Sequence, residues 1–332
     1  MHRISPCLRW LQPALLVAAV SVSANTAIEE RPINLVRTGL PHDALYDIAF
    51  TDGVGFAVGR HGAVLTSENG GLDWQAVDVV TDQAMLAVEA LDNRIVMVGQ
   101  QGSIFVGDRA SALQRIESPT SERLMSVALD ASGLAVAVGG FGTVLVSRDA
   151  GTSWEQKFLD WGELQPEGLE AHLYDISITA EGEILLCGEF AMILASSDQG
   201  ETWELRHLGD ASLFAMHLSD NGAGFAVGQE GTVLRTMDDG RSWQAAETNS
   251  TANLLDVWQS DQGEVVAIGI RALLRSSDAG TTWVAVQDTT IDRAWYAALS
   301  PGILTNSIDN GTLSAQLVYA VGQQGNIIII NQ

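Results

Sequence analysis

The chain has 332 residues, of which 41 are acidic and 17 are basic, and its formal net charge is −24. A protein that binds nucleic acid displaces counterions with a basic surface, so this charge argues against nucleic acid as a partner, and we expect none. The same charge argues against adsorption to an anionic membrane surface.

The first residues have the layout of a secretory signal peptide. Arg3 and Arg9 flank an apolar run over residues 11–22, and small residues follow it. We expect cleavage after Ala24, with Ala27 as the alternative, and hence a periplasmic or secreted protein. Cleavage after Ala24 removes two basic residues and no acidic one, which moves the net charge to −26. The run is too short to span a bilayer, and no later stretch is apolar enough, so we expect no membrane insertion.

Only one cysteine, Cys187, remains after cleavage, so an internal disulfide is excluded. Cys187 ends the apolar stretch Ile184–Cys187, and we expect it to pack as a small hydrophobic residue. The stability of the mature chain must therefore come from a hydrophobic core, which about 300 residues are able to build.

A short apolar strand that ends in glycine occurs seven times from residue 55 onward, at intervals of 40, 40, 49, 40, 41 and 53 residues. An apolar strand precedes each copy, another follows it, and turn signals separate them. With a short fourth strand, each unit of about 40 residues has the content of one β-propeller blade. The sequence thus predicts an all-β fold over 25–332: one seven-bladed propeller domain of four-stranded antiparallel blades.

An eight-residue pattern, Ser/Thr-x-Asp-x-Gly-x-Ser/Thr-Trp, follows the third strand of most units, and we call it the box. We expect the box to be a structural turn. Its Asp carboxylate can accept hydrogen bonds from the backbone N–H groups two or three residues on, and its Trp buries apolar area. The alternative is that the five boxes are five equivalent ligand sites. The second unit departs from the pattern at Gly107 to Gln114. The predicted structural box residues are Asn69, Trp74, Asp149, Trp154, Asp198, Trp203, Asp238, Trp243, Asp278 and Trp283.

The two ends of the chain predict how the ring closes. The last unit stops after Ile327–Ile330, where its box and fourth strand would begin, whereas an extra strand at Ile33–Arg37 precedes the first complete unit. We expect this N-terminal strand to complete the last blade, which would remove two exposed strand edges.

Loops at one end of the ring are the candidate surface for a partner, because insertions and variable loops on a repeat scaffold often bind. The two long intervals predict insertions over residues 159–171 and about 300–315. Aromatic residues with polar surroundings suit a protein interface, although some of them can instead fill the channel or pack under loops. The candidate partner-binding residues are Arg60, His61, Phe141, Trp161, Glu189, Phe190, Arg271, Trp295 and Tyr296.

The third position of the predicted innermost strand carries small or short side chains: Asp47, Ala87, Ser126, Asp175, Ala215, Asp256 and Ala297. We expect Asp47, Asp175 and Asp256 at the channel mouth, each bonded to backbone N–H groups of a neighbouring blade. The alternative is a site for a cation or basic group, since nearby carboxylates raise one another's pKa.

No motif in the sequence indicates a cofactor or a resident metal, and the histidines have no metal-ligand spacing. Nor is there a nucleophile elbow or a phosphate-binding loop. A sialidase-like site would need an arginine cluster and a Tyr/Glu pair, and the loops offer only Arg60, Arg271 and Arg293, with Tyr296 as a conceivable nucleophile. We therefore expect no catalytic residues.

The boxes resemble the Asp-box of bacterial neuraminidase repeats, over nearly the whole mature length. The segment Val138–Ser147 with the following box more closely resembles the repeat of the photosystem II stability/assembly factor family and its relatives in non-photosynthetic bacteria. In that family, function is attributed to an arginine-rich surface that meets a membrane-protein client. This chain is acidic instead, so the photosystem client does not carry over.

The resemblance implies an exported propeller that binds a protein partner. We expect it to be a non-catalytic monomer that assists assembly or stability of a membrane-associated complex. The alternative function is a sialidase-like glycoside hydrolase or a carbohydrate-binding propeller.

Overall fold

The computed structural model describes residues 31–108, 113–165, 168–308 and 311–331. The predicted signal peptide lies outside them. Seven four-stranded antiparallel sheets form the described part of the chain, which confirms the predicted seven-bladed propeller. We number the blades 1 to 7 from the sheet that begins at Leu45, and the strands of each blade from the axis outward.

Each blade has four strands, and the same order from the axis to the rim repeats around the ring. The innermost strands are Leu45–Thr51, Met85–Leu91, Leu124–Leu129, Leu173–Ile178, Leu213–Leu218, Leu254–Gln259 and Tyr296–Ile308. The second strands are Val54–Gly59, Arg94–Gly99, Ala135–Gly139, Ile184–Gly188, Gly224–Gly228, Val265–Gly269 and Gly311–Gly322. The third strands are Val64–Ser67, Ile104–Gly107, Val144–Ser147, Ile193–Ser196, Val233–Thr236, Leu273–Ser276 and Ile327–Ile330. The outer strands are Gln75–Ala76, Gln114–Ile116, Glu155–Lys157, Glu204–His207, Gln244–Ala245, Val284–Ala285 and, for blade 7, Ile33–Arg37.

The N-terminal strand closes the ring as predicted. Ile33–Arg37 runs antiparallel to Ile327–Ile330, with Ile33 opposite Ile330 and Leu35 opposite Ile328. Blade 7 is therefore built from both ends of the described chain, and the third strand of that blade has no open edge.

The hydrophobic core lies between neighbouring blades. The second and third strands are buried on both faces, which is why they appear in the sequence as continuous apolar runs such as Ala135–Gly139. Seven clusters of buried side chains follow the ring, one at each interface between blades, and Cys187 is fully buried in one of them, as predicted. Among the described residues, no helix is long and apolar enough to cross a membrane.

Each box is a tight turn held by its own polar groups. In blade 6, the Ser276 hydroxyl donates to Asp278 Oδ1 (2.7 Å) and accepts the N–H of Gly280 (2.9 Å). Asp278 Oδ1 accepts the N–H groups of Thr281 and Thr282, which lie three and four residues on, where two or three were predicted. These bonds to the charged form hold the pKa of Asp278 at about 2.

The two insertions take different forms. Residues 159–171 contain a one-turn helix, Trp161–Leu164, with Asp160 accepting the N–H of Gly162 at its start. The second insertion is not a loop: the backbone pairing of blade 7 continues out to Ile308 opposite Gly311, so the first two strands of this blade form a long hairpin.

The register of blade 7 differs by one residue from the prediction. Tyr296 lies opposite Gly322, as Leu45 lies opposite Gly59 in blade 1, so Ala298 takes the position of Asp47. Tyr296 is therefore fully buried in the core between blades 6 and 7, and Trp295 precedes the strand.

Candidate functional site: the turn face and the channel

The two ends of the ring differ in what they carry. We call turn face the end with the short turns after the repeated glycines: residues 60–62, 100–102, 140–142, 189–191, 229–231, 270–272 and 323–325. The boxes follow the third strands at the opposite end, which we call the box face. The N–H of Gly70, in the box of blade 1, donates to Gly53 O in the turn between the first two strands of the same blade.

The turn face presents a short, strained turn in every blade. The central residue of each turn has a positive φ, for example 56° at His61 and 51° at Phe141. A positive φ is uncommon for residues other than glycine. His61, Phe141 and Arg271 are exposed, as is the preceding Arg60.

Four side chains form an aromatic arc on the turn face: Phe141, His172, Tyr174 and Phe214. The ring centroids of Phe141 and His172 are 4.7 Å apart, those of His172 and Tyr174 are 6.4 Å apart, and those of Tyr174 and Phe214 are 5.3 Å apart. The first and third of these pairs are edge-to-face, an arrangement that stabilises aromatic pairs beyond the area they bury, and the middle pair is tilted. Phe141 keeps 60% of its surface exposed.

Hydrogen bonds from backbone N–H groups to side chains fix the middle of the aromatic arc. The N–H of Phe141 donates to His172 Nδ1 (3.0 Å), and the N–H of His172 donates to Glu189 Oε2 (2.8 Å). Glu189, a candidate partner residue, thus holds the arc in place from the next turn. A second aromatic pair, Tyr46 stacked on Trp295 with centroids 6.1 Å apart, lies between blades 1 and 7.

Of the five predicted aromatic candidates, only Phe141 is exposed, since Trp295 is half-buried against Tyr46 and the other three are buried or half-buried. Tyr296 was a candidate for the exposed patch, with packing under loops or in the channel as the alternative; it is fully buried, because it stands in the core register of the innermost strand. Burial raises its pKa to about 12. Trp161 and Phe190 are half-buried against the core between blades 3 and 4, and Trp161 packs over Gly142.

Tyr46, His172, Tyr174 and Phe214 were missed by the sequence reasoning. Three of them occupy the second position of the innermost strand, which also holds Leu86, Met125 and Leu255. This position is half-buried in every blade, and it lies next to the small third position on which the prediction concentrated. The large apolar residues repeated there were the signal that could have located the arc.

The three channel aspartates connect neighbouring blades, as predicted. Asp47 Oδ2 accepts the N–H of Val88 in blade 2 (2.8 Å), and Asp175 Oδ2 accepts that of Met216 in blade 5 (2.8 Å). Asp256 Oδ2 accepts the N–H of Leu299 in blade 7. Each carboxylate thus ties its own innermost strand to that of the next blade.

The position of the aspartates in the channel differs from the prediction. They line both a cavity of about 110 Å³ that opens on the turn face and one of about 370 Å³ toward the box face, so they lie within the channel and not at its mouth. Burial raises the pKa of Asp47 to about 8 and that of Asp175 to about 6.

The cavity toward the box face holds further titratable groups. Burial raises the pKa of Glu89 to about 7 and lowers that of His217 to about 4. Within the described ranges, no set of three His, Cys, Asp or Glu side chains is arranged to hold a metal ion. The alternative of a cation site therefore has no ligand set in this part of the chain.

The fold and the box turns define a class: seven-bladed propellers with Asp-box repeats. Within that class, the sequence model of the family described as "Photosynthesis system II assembly factor YCF48" matches residues 106–273 and 158–326, and the chain belongs to this family. No curated protein matches the chain in sequence.

Solved structures share the fold at low sequence identity. One titled "YCF48 bound to D1 peptide" is 17% identical, with a TM-score of 0.69 over 92% of this chain and 97% of that one. YCF48 from Cyanidioschyzon merolae is 16% identical, with a TM-score of 0.70 over 91% and 99%. The WD40 propeller domain of Doa1 is 14% identical, with a TM-score of 0.64 over 90% and 97%.

Proposed function

We propose that the protein is an exported, non-catalytic propeller that binds a protein partner through its turn face and assists assembly or stability of a membrane-associated complex. Membership of the YCF48 assembly-factor family supports the assembly role. A solved relative of the same fold is described as bound to a peptide, which supports a protein as the partner.

The observation that carries the choice of face is the aromatic arc. Ordered aromatic side chains that remain partly exposed are typical of interface hot spots, because they bury large area at small entropic cost. The channel end next to the arc is too narrow, at about 110 Å³, to hold a folded partner, so the partner would lie across the face.

Affinity capture from the native cell envelope tests this function. The wild type, the double variant Phe141→Ala/Phe214→Ala, and Met237→Ala serve as baits. Met237 is 62% exposed in a box on the opposite face, so its variant is the matched control. We expect one membrane-associated protein with the wild type and the control, and its loss with the double variant. Equal recovery by all three baits would refute the turn face as the interface.

Export is tested separately by N-terminal sequencing of the protein recovered from the cell. A mature chain that begins at Asn25, or at Ile28 for the alternative cleavage, supports export. A chain that keeps Met1 and remains in the cytoplasm would contradict it.

A further inference from the structure

The interfaces between blades are completed by the boxes. In blade 3, a Cβ at Gly151 would lie 3.1 Å from Val96 Cγ2 and 3.3 Å from Val106 Cγ2, both in blade 2. Trp154 of the same box packs against the core cluster shared by blades 2 and 3. The box of one blade thus packs on the second and third strands of the preceding blade.

Blade 2 has a leucine where the other boxes have tryptophan. In blade 3, Val146 pairs with Glu155, which follows Trp154; in blade 2, Val106 pairs with Gln114, which follows Leu113. The strand register therefore places Leu113 at the tryptophan position, where the sequence pattern had suggested Gln114. A leucine side chain is much smaller than an indole.

An apolar groove lies at the interface that this box would have filled, between blades 1 and 2. Its volume is about 400 Å³, within the range of about 300–1,000 Å³ that small-ligand pockets occupy. Phe56 and Thr66 line it from blade 1, in the register positions that Val96 and Val106 hold in blade 2. The lining from blade 2 comes from Ile95, Phe105 and Leu113. The groove is thus the place of the missing tryptophan.

The rim of the groove is apolar and acidic. Val80 is 96% exposed on it. Among the described residues that line it, Glu68, Asp78 and Asp108 are acidic and Arg115 is basic. An exposed apolar rim with excess negative charge favours an occupant that is apolar at its centre and cationic beside it.

We propose that the groove between blades 1 and 2 is a second binding site, which takes an aromatic side chain from a partner protein segment that carries a lysine or arginine next to it. The partner's aromatic ring occupies the position that the chain's own box tryptophan fills at other interfaces. Its cationic neighbour meets Glu68 and Asp78. This site lies between two blades and shares no residue with the aromatic arc, so it does not depend on the function proposed for the turn face.

Titration of the mature chain with two capped tripeptides tests the proposal. The probes are Lys-Trp-Lys and Lys-Ala-Lys, and methyl NMR reports Ile95 and Leu113. We expect saturable shifts of both methyl groups with Lys-Trp-Lys and none with Lys-Ala-Lys. Glu-Trp-Glu should bind more weakly, because the rim repels it. Equal shifts with the tryptophan and alanine peptides would overturn the proposal.

Two variants make the test specific. Leu113→Trp restores the residue of the repeat, and we expect it to abolish the saturable shift of Ile95 and to raise Tm. Leu205→Trp, on the outer strand of blade 4, is the matched control and should bind like the wild type. If Leu113→Trp does not fold, Val79→Arg at the rim takes its place, and it should also lose binding. Unchanged binding by the folded groove variant would rule the site out.

Discussion

The tryptophans of two boxes differ in one hydrogen bond, and this difference predicts that the same substitution destabilises one box more than the other. Trp243 is 8% exposed, and its indole N–H donates to Gly240 O (3.0 Å). Trp203 occupies the same box position in blade 4, but its buried indole N–H has no acceptor among the described residues. The substitutions Trp243→Phe and Trp203→Phe remove the same ring atoms, from a buried site and a half-buried one, so the hydrogen bond is the main polar difference between them.

The magnitude follows from the energetics of buried polar groups. Trp243→Phe removes a hydrogen bond worth about 1 kcal/mol and leaves a buried carbonyl unpaired, whereas Trp203→Phe removes an unpaired donor whose burial costs about 1–3 kcal/mol. We therefore expect Trp243→Phe to lower the free energy of unfolding by about 2–4 kcal/mol more than Trp203→Phe. Urea unfolding followed by far-UV circular dichroism measures both values without relying on tryptophan fluorescence. Losses that agree within about 0.5 kcal/mol would refute the role assigned to the hydrogen bond.

Three further predictions concern the glycines, the channel and the closure. Gly280→Ala should destabilise the protein by several kcal/mol more than Gly182→Ala in thermal unfolding. Both glycines have a positive φ, but a Cβ added at Gly280 would lie 2.3 Å from Phe225 Cε1, whereas a Cβ at Gly182 would have no atom within 4 Å. Similar losses would contradict the packing of the box on the preceding blade. Burial raises the pKa of Asp47 from 3.8 to about 8, so the folded state binds the carboxyl proton more tightly than the unfolded state does. Protonation of Asp47 therefore stabilises the fold fully below about pH 4, and this stabilisation is lost as the pH rises through about 8. The decline in Tm over that interval should be smaller in Asp47→Asn, and an identical decline would show that Asp47 does not titrate as described. Ile33→Asp places a charge in the closing strand and should lower Tm sharply; an unchanged Tm would mean that this strand does not complete blade 7.

The blade count and the closure could be predicted because the repeat itself encodes them. The continuous apolar runs of the second strands mark burial on both faces, and the strand at Ile33–Arg37 has no partner other than the incomplete last blade. The contacts of Asp47 and Asp175 with the next blade were also predicted, since a short side chain near the axis reaches only the neighbouring innermost strand.

The register of blade 7 could not be predicted with the same certainty. Both Trp295 and Tyr296 fit the first position of an innermost strand, because this strand faces the channel on one side and its alternation of apolar and polar residues is weak. Only the pairing of Tyr296 with Gly322 decides between them. The aromatic arc was missed for a related reason: Phe141, His172 and Phe214 come from three different blades and meet only across blade boundaries.

The central claim is that the turn face binds a protein partner. The most direct measurement is photo-crosslinking in intact cells, with a photoreactive phenylalanine analogue at Phe141 or, as a control, at Met237 on the box face. We predict a crosslink from residue 141 to one membrane-associated protein, and none to that protein from residue 237. Crosslinks to the same protein from both positions, or from residue 237 alone, would contradict the claim.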